Sequence, residues 1–217
     1  MHQGEAAGAV GGKRQRKSGE APTSCGGAPP SARASGPQRG PLPPNRIEAA
    51  RLGDAMLVRV VGLGTVNTAG TLWDFAWQAM ADGCTRFALD LGACRGVDST
   101  FMGTMVGIAQ EARERGGENA WVWVLNVSDA NRELLEIVGA DRFLLFKSGV
   151  QMEPLETEPL IGESLSLERR VALIKRAHEN LLAIDRRNEE RFGEFLRYLT
   201  AELSARPDRP AVGRADG

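Results

Sequence analysis

The sequence predicts an α/β fold: a mixed, largely parallel sheet with alternating helices, followed by an amphipathic helical segment. Three observations predict it. Short β-branched apolar runs alternate with helical apolar stripes over residues 50–150. The connections between them are two to six residues long. Beyond them, over residues 165–204, apolar side chains return every three or four positions. Strands alternating with helices across short connections are the pattern of parallel strands joined by helical crossovers.

The elements follow in order. Residues 56–61, MLVRVV, form a strand that ends at Gly62-Leu63-Gly64, and a further short strand over 63–67 is compatible with the pattern. Thr68 or Thr71 can cap a helix over 71–82. Its Leu72, Phe75, Ala76, Ala79 and Met80 share one face, and Gly83 closes it. Residues 87–91 form the second strand and 92–97 a loop. Asp98-Ser99-Thr100 opens a helix over 100–115, with Phe101, Met105, Ile108, Ala109 and Ala112 on its buried side and Gly116-Gly117 as its stop. In the strand at 121–125, Trp121, Trp123 and Leu125 face one way and Val122 and Val124 the other. Ser128 or Asp129 caps a helix over 129–138, Gly139 ends it, and 143–146 is a last short strand.

The flanks differ in composition. Residues 1–46 carry seven basic and two acidic side chains, a net of +5; the whole chain's −1 leaves −6 for residues 47–217. Residues 1–46 are rich in Gly, Pro, Ala and Ser and nearly empty of large apolar residues, so they read as a disordered basic tail. The run Lys13-Arg14-Gln15-Arg16-Lys17 has no aromatic neighbour, and nucleic acid is not the expected partner. Residues 151–164, with Glu153-Pro154 and Glu158-Pro159, read as a linker. The segment 165–204 opens at Ser164 or Ser166. It carries Leu167, Val171, Ile174, His178 and Leu181, then Phe192, Phe195, Leu196, Leu199 and Leu203. Two polar turns at 185–191 make it either one interrupted helix or a helical hairpin. Its apolar face needs cover, from the tryptophan-bearing surface or from a second copy in a homodimer. Residues 205–217 read as a second disordered tail.

Several function classes lack support. No apolar leader follows Met1, and no run approaches a membrane span. Cys25, Cys84 and Cys94 are an odd number without metal-ligand spacing, which fits a reduced, cytoplasmic protein; Cys84 and Cys94 read as packing residues. His2 falls in the tail and His178 on the long helical segment, as a packing or surface residue. No Ser/His/Asp set, metal cluster or phosphate-cradling glycine loop is legible, so no catalytic residue and no cofactor are expected. Gly62-Leu63-Gly64 lacks the third glycine of a dinucleotide fingerprint.

The informative stretch runs from Asp90-Leu91 to Gly107. A strand enters a loop, and Asp98-Ser99-Thr100 then opens a helix. Free N–H groups at a helix start favour an anion, so a hydroxyl there can cap the helix or carry a phosphoryl group, and the other reading is plain capping by Asp98 or Ser99. This stretch resembles the STAS family, the sulfate-transporter and anti-sigma-factor-antagonist domains. The likeness rests on Asp90-Leu91, on Asp98-Ser99-Thr100-Phe101-Met102-Gly103, and on Gly62 through Thr68-Ala69, and covers residues 50–150. Phe101 stands where the family usually has glycine.

The resemblance implies a STAS-like fold and a non-enzymatic anti-sigma-factor antagonist that captures an anti-sigma serine/threonine kinase. It implies phosphorylation at Thr100, with Ser99 as second choice. It also implies an exposed partner surface formed by Asp98, Ser99, Thr100, Phe101 and Met102. The other reading is an unphosphorylated STAS adaptor or scaffold that assembles a signalling or transport complex.

Overall fold

The structure is a computed structural model, and it describes residues 44–151, 156–162 and 164–205. The basic run at 13–17, His2, Cys25, most of the expected tails, part of the expected linker and the side chain of Leu203 lie outside the described residues.

The chain begins with β1 (Arg46–Leu52) and β2 (Ala55–Gly64), paired antiparallel so that Leu52 faces Ala55 across a two-residue turn. Gly53 takes φ +62 there, the requirement of a tight hairpin at its first central position. The strand β1 was not expected: its start falls within the basic stretch 1–46, and its Glu48 and Arg51 dilute the apolar signal. Alternation nevertheless sends Ile47 and Ala49 into the core.

Helix α1 (Val66–Ala81) begins five residues earlier than predicted. Its N-cap is Thr65, where Thr68 or Thr71 was expected. Thr68 sits inside the first turn and accepts a hydrogen bond from the Thr65 N–H at 2.7 Å. The possible strand at 63–67 is absent, because Leu63 and Gly64 finish β2 and the helix follows at once.

Then come β3 (Arg86–Asp90), β4 (Cys94–Val97) and α2 (Ser99–Gly116). The sequence pattern predicts a loop over residues 94–97. They form a short strand parallel to the end of β2, placing Val97 opposite Gly64. The rest of the expected pattern holds: β5 (Trp121–Leu125), α3 (Asp129–Ile137) capped by Ser128, and β6 (Leu145–Lys147), two residues later than predicted.

Within the expected linker, β7 (Glu158–Leu160) pairs antiparallel with β1, Ile47 opposite Leu160, and Thr157 hydrogen-bonds Glu48 at 3.0 Å. The seven-stranded sheet runs β6-β5-β3-β2-β1-β7, with β4 beside the end of β2. The pairs of β2 with β3, β3 with β5 and β5 with β6 are parallel. The sheet is thus mixed and largely parallel, as expected.

The periodic C-terminal segment is two helices, α4 (Leu167–Ile184), capped by Ser166, and α5 (Arg187–Ala205). Of the two forms left open by the sequence, the hairpin is the one observed. Its turn is fixed by buried polar groups. Asn188 Nδ2 donates to the carbonyls of Val138 at 2.9 Å and Leu181 at 2.7 Å. Asp185 accepts from the Arg187 N–H and guanidinium, with Arg142 nearby, and these hold its carboxyl well below the usual range.

One face of the sheet carries the main core: Ile47, Val58, Val60, Phe87, Leu89, Val122 and Val124 pack against the helices. Leu57, Ala88 and Leu125 form a smaller cluster with Trp121 and Trp123 on the other face. Leu181 and Ile184 of α4 reach the main core. Helix α2 is enclosed, with every residue from Thr100 to Ala109 buried. The sequence placed only one side of it inside; α4 covers another. A helix without an exposed stripe needs packing on several sides.

If β1 is integral to the core, Ile47→Ala should cost about 2–5 kcal/mol, the range for truncating a buried aliphatic side chain. Urea denaturation followed by tryptophan emission would measure it. A disordered residue at this position would give no change.

Candidate functional site

The site is built where two strands end side by side. The pairing of β2 with β4 brings the starts of α1 and α2 together, and the Asp98 N–H donates to the Gly64 carbonyl at 2.9 Å. Asp98 then caps both helices. Its Oδ1 accepts from the Phe101 N–H at 2.7 Å, and its Oδ2 accepts from the Val66 N–H at 3.2 Å. One carboxylate thus serves two positive helix ends. Gly64 must lack a side chain, since a Cβ there would lie 2.7 Å from the Phe101 ring.

The other acid of the motif, Asp90, works at the end of β3. Its carboxylate accepts from Arg59 at 3.2 Å, from the Gly92 N–H at 3.1 Å and from Asn126 at 3.3 Å. Asn126, at φ +53, also exchanges hydrogen bonds with Val150. Asp90 therefore holds the loops that follow β3 and β5.

Residues 98–102 are not the open surface that was expected. Thr100 is 6% exposed, Phe101 0% and Met102 6%, while Asp98 and Ser99 are half-buried. Phe101 turns into the core beneath Gly64, and α4 lies across the first turns of α2. The Thr100 carbonyl accepts from the Thr104 hydroxyl at 2.8 Å.

The structure brings together two residues the sequence kept apart. His178 Nε2 lies 3.0 Å from Ser99 Oγ, and Nδ1 lies 2.8 Å from the Ile174 carbonyl. A carbonyl only accepts, so Nδ1 carries the proton. The neutral ring then accepts at Nε2 from the Ser99 hydroxyl. Phe192 and Phe195 flank the imidazole, with ring centroids 5.1 and 5.0 Å away. His178 is 4% exposed, and burial pushes its pKa below the usual 6.5 despite the Ile174 carbonyl and the nearby Asp98 charge. The position of His178 on the apolar face of the periodic segment, among Ile174 and Leu181, was the sequence signal that it is buried. Nothing in the sequence pointed to Ser99.

Chemically, this arrangement caps, orients and seals. The groove between α1 and α4, lined by Gly70, Trp73, Asp74, Leu165, Arg169 and Arg176, includes neither Ser99 nor His178. Among the described residues, no group of three or more His, Cys, Asp and Glu side chains could hold a metal ion, and no helix is long and apolar enough to cross a membrane. Cys84 and Cys94 are buried, and burial pushes the Cys94 thiol up, away from the reactive thiolate.

No family model matches the chain, and no curated protein does. Some solved structures are similar. One is the anti-sigma factor antagonist SpoIIAA in its unphosphorylated form, at 14% identity and a TM-score of 0.40, covering 48% of this chain and 89% of that one. The Bacillus cell fate determinant SpoIIAA in the phosphorylated form gives 14% and 0.40, with coverages of 48% and 92%. The protein TM1081, solved by NMR, gives 14% and 0.42, with coverages of 46% and 78%. Similarity at this level assigns neither family nor activity to the chain.

Two outcomes follow from the geometry. Asp98→Ala should destabilise the fold by about 1–2 kcal/mol or more, because both helix starts lose a cap; chemical denaturation would show it. The second concerns pH. The unfolded chain takes up a proton on His178 near pH 6.5, whereas the folded chain resists it. Its contribution is therefore complete above that pH and is lost as pH falls through it. Between about pH 7.5 and 5.5 the urea midpoint should fall in the native protein and fall less in His178→Gln.

Proposed function

We propose that this chain is a non-enzymatic, cytoplasmic protein-binding module of the anti-sigma-factor-antagonist type. It captures an anti-sigma serine/threonine kinase and is switched by phosphorylation in the first turn of α2. The observation that carries this reading is the pair of hydroxyl residues, Ser99 and Thr100, directly after the Asp98 cap of an 18-residue helix. A phosphoryl group adds about −1.5 to −2 charges, which a helix start tolerates and an acidic partner does not. Thr100 is the proposed acceptor, by the motif resemblance, and Ser99 the second choice. Residues 98–102 with the first turn of α2 form the proposed contact. Because Thr100 is 6% exposed, a kinase reaches it only when the cover over α2 moves.

The same burial favours a second reading, an adaptor or scaffold whose Thr100 is never modified. Self-association through the C-terminal segment would use the outer face of α5, where Phe195 is 42% and Tyr198 65% exposed.

The test uses the kinase recovered by affinity capture with the full chain. With ATP it should place phosphate on Thr100. Thr100→Glu should bind it at least about tenfold more weakly than Thr100→Ala, a difference of about 1.4 kcal/mol by calorimetry. Phosphate on Ser99 alone would move the assignment. No phosphate and equal affinities would leave the adaptor reading.

A further inference from the structure

The face of α2 that carries Ser99, Gly103 and Gly107 is one ridge, since the three residues are four apart. Helix α4 lies on it at very close range. A Cβ on Gly103 would overlap the backbone carbonyl of Ala177, and one on Gly107 would overlap the Asn180 amide. Two polar contacts run along this seam beside the buried Ala177. Ser99 meets His178, and the Gly103 carbonyl accepts from Asn180 Nδ2 at 3.0 Å. Nearer its start, α4 is held to α1 by exposed contacts. Arg169 grips Asp74 with two 3.0 Å bonds, and the Arg176 guanidinium stands 5.1 Å from the Trp73 ring. Leu173 touches the main core and Ala177 is buried against Gly103, while the larger buried apolar anchors, Leu181 and Ile184, come further along, next to the buried Asn188 of the turn.

We infer that this ridge of α2 is a helix-docking surface, that residues 167–180 of α4 are its exchangeable occupant, and that a partner binds by presenting an amphipathic helix in their place. The inference rests on the proposed use of the start of α2 as a contact, and it names the form of the partner. Lifting α4 about the Leu181–Asn188 anchor leaves two glycines, a serine hydroxyl and a backbone carbonyl facing water, which water can satisfy. The partner helix carries a small residue against Gly103, as α4 carries Ala177, because a larger one meets the α2 backbone. Beside it stands a side chain that donates to the Gly103 carbonyl, as Asn180 does. Ser99, now held by His178, becomes accessible in the same movement.

The test needs no kinase. Hydrogen exchange on the unmodified full chain should show amides 171–180 exchanging at least tenfold faster than those of β2 and β3. Equal protection of α4 and the strands would overturn the inference, because the helix would then be part of the cooperative core. A dye-labelled peptide of residues 166–185 provides the second measurement. It should bind the full chain carrying His178→Ala and Asn180→Ala at least tenfold more tightly than it binds the unmodified chain. Adding Gly103→Leu should abolish that binding while strand amides keep their protection. Peptide affinity that is insensitive to Gly103→Leu would also overturn it. Peptide binding as expected, without capture of any kinase, would sink the kinase reading and leave the docking surface standing.

Discussion

The packing of this protein turns on the close approach of α4 to α2. A helix buried continuously from Thr100 to Ala109 must have neighbours on more than one side. The sheet and α1 supply part of that cover, and the C-terminal hairpin supplies more. The approach depends on glycines at 103 and 107, where any side chain would strike α4. Glycine inside a helix costs about 1 kcal/mol against alanine, so two of them on one ridge are costly unless close packing offsets the loss. The hairpin is thus fitted to α2, and the region that resembles an independent domain is only part of the packed unit.

Asp98 gives the site its second constraint. A helix cap is usually a local device, serving the turn that follows it. Here the carboxylate also reaches the first N–H of α1, so the two helices share one anchor. The geometry needs β4, because the pairing of Val97 with Gly64 sets the two chain segments side by side. A substitution at Asp98 therefore disturbs the fold and the candidate contact together. Loss of binding in such a variant does not by itself identify a contact residue.

Much of the architecture was legible, for physical reasons. Strands β2, β3 and β5 are largely buried, mostly apolar runs, and α1 carries a clear stripe. Three strands were not legible. β1 lies in a stretch whose charges and small residues resemble a tail, and β4 is four residues containing a glycine. β7 contains Pro159 and glutamate, and has strand geometry only because β1 offers it a partner. The Asp98 cap was readable from local spacing. Phe101 was placed on the buried side of its helix, whereas the burial of Thr100 and Met102 was not readable. The meeting of Ser99 with His178 is of the same kind, a tertiary fact with no local signature.

The strand β7 gives the hairpin a short leash. By joining the sheet edge at Ile47 and Ala49, residues 158–160 leave only a few residues before α4 begins at Leu167. A segment tethered this closely faces its own groove at an effective concentration on the order of millimolar. A free competitor therefore contends with a local rival that dilution cannot remove. Anything that frees β7 from β1 lengthens the tether and lowers that concentration, without touching a residue in the groove. The sheet edge, remote from α2 in sequence and chemistry, can in this way set how strongly the groove is guarded.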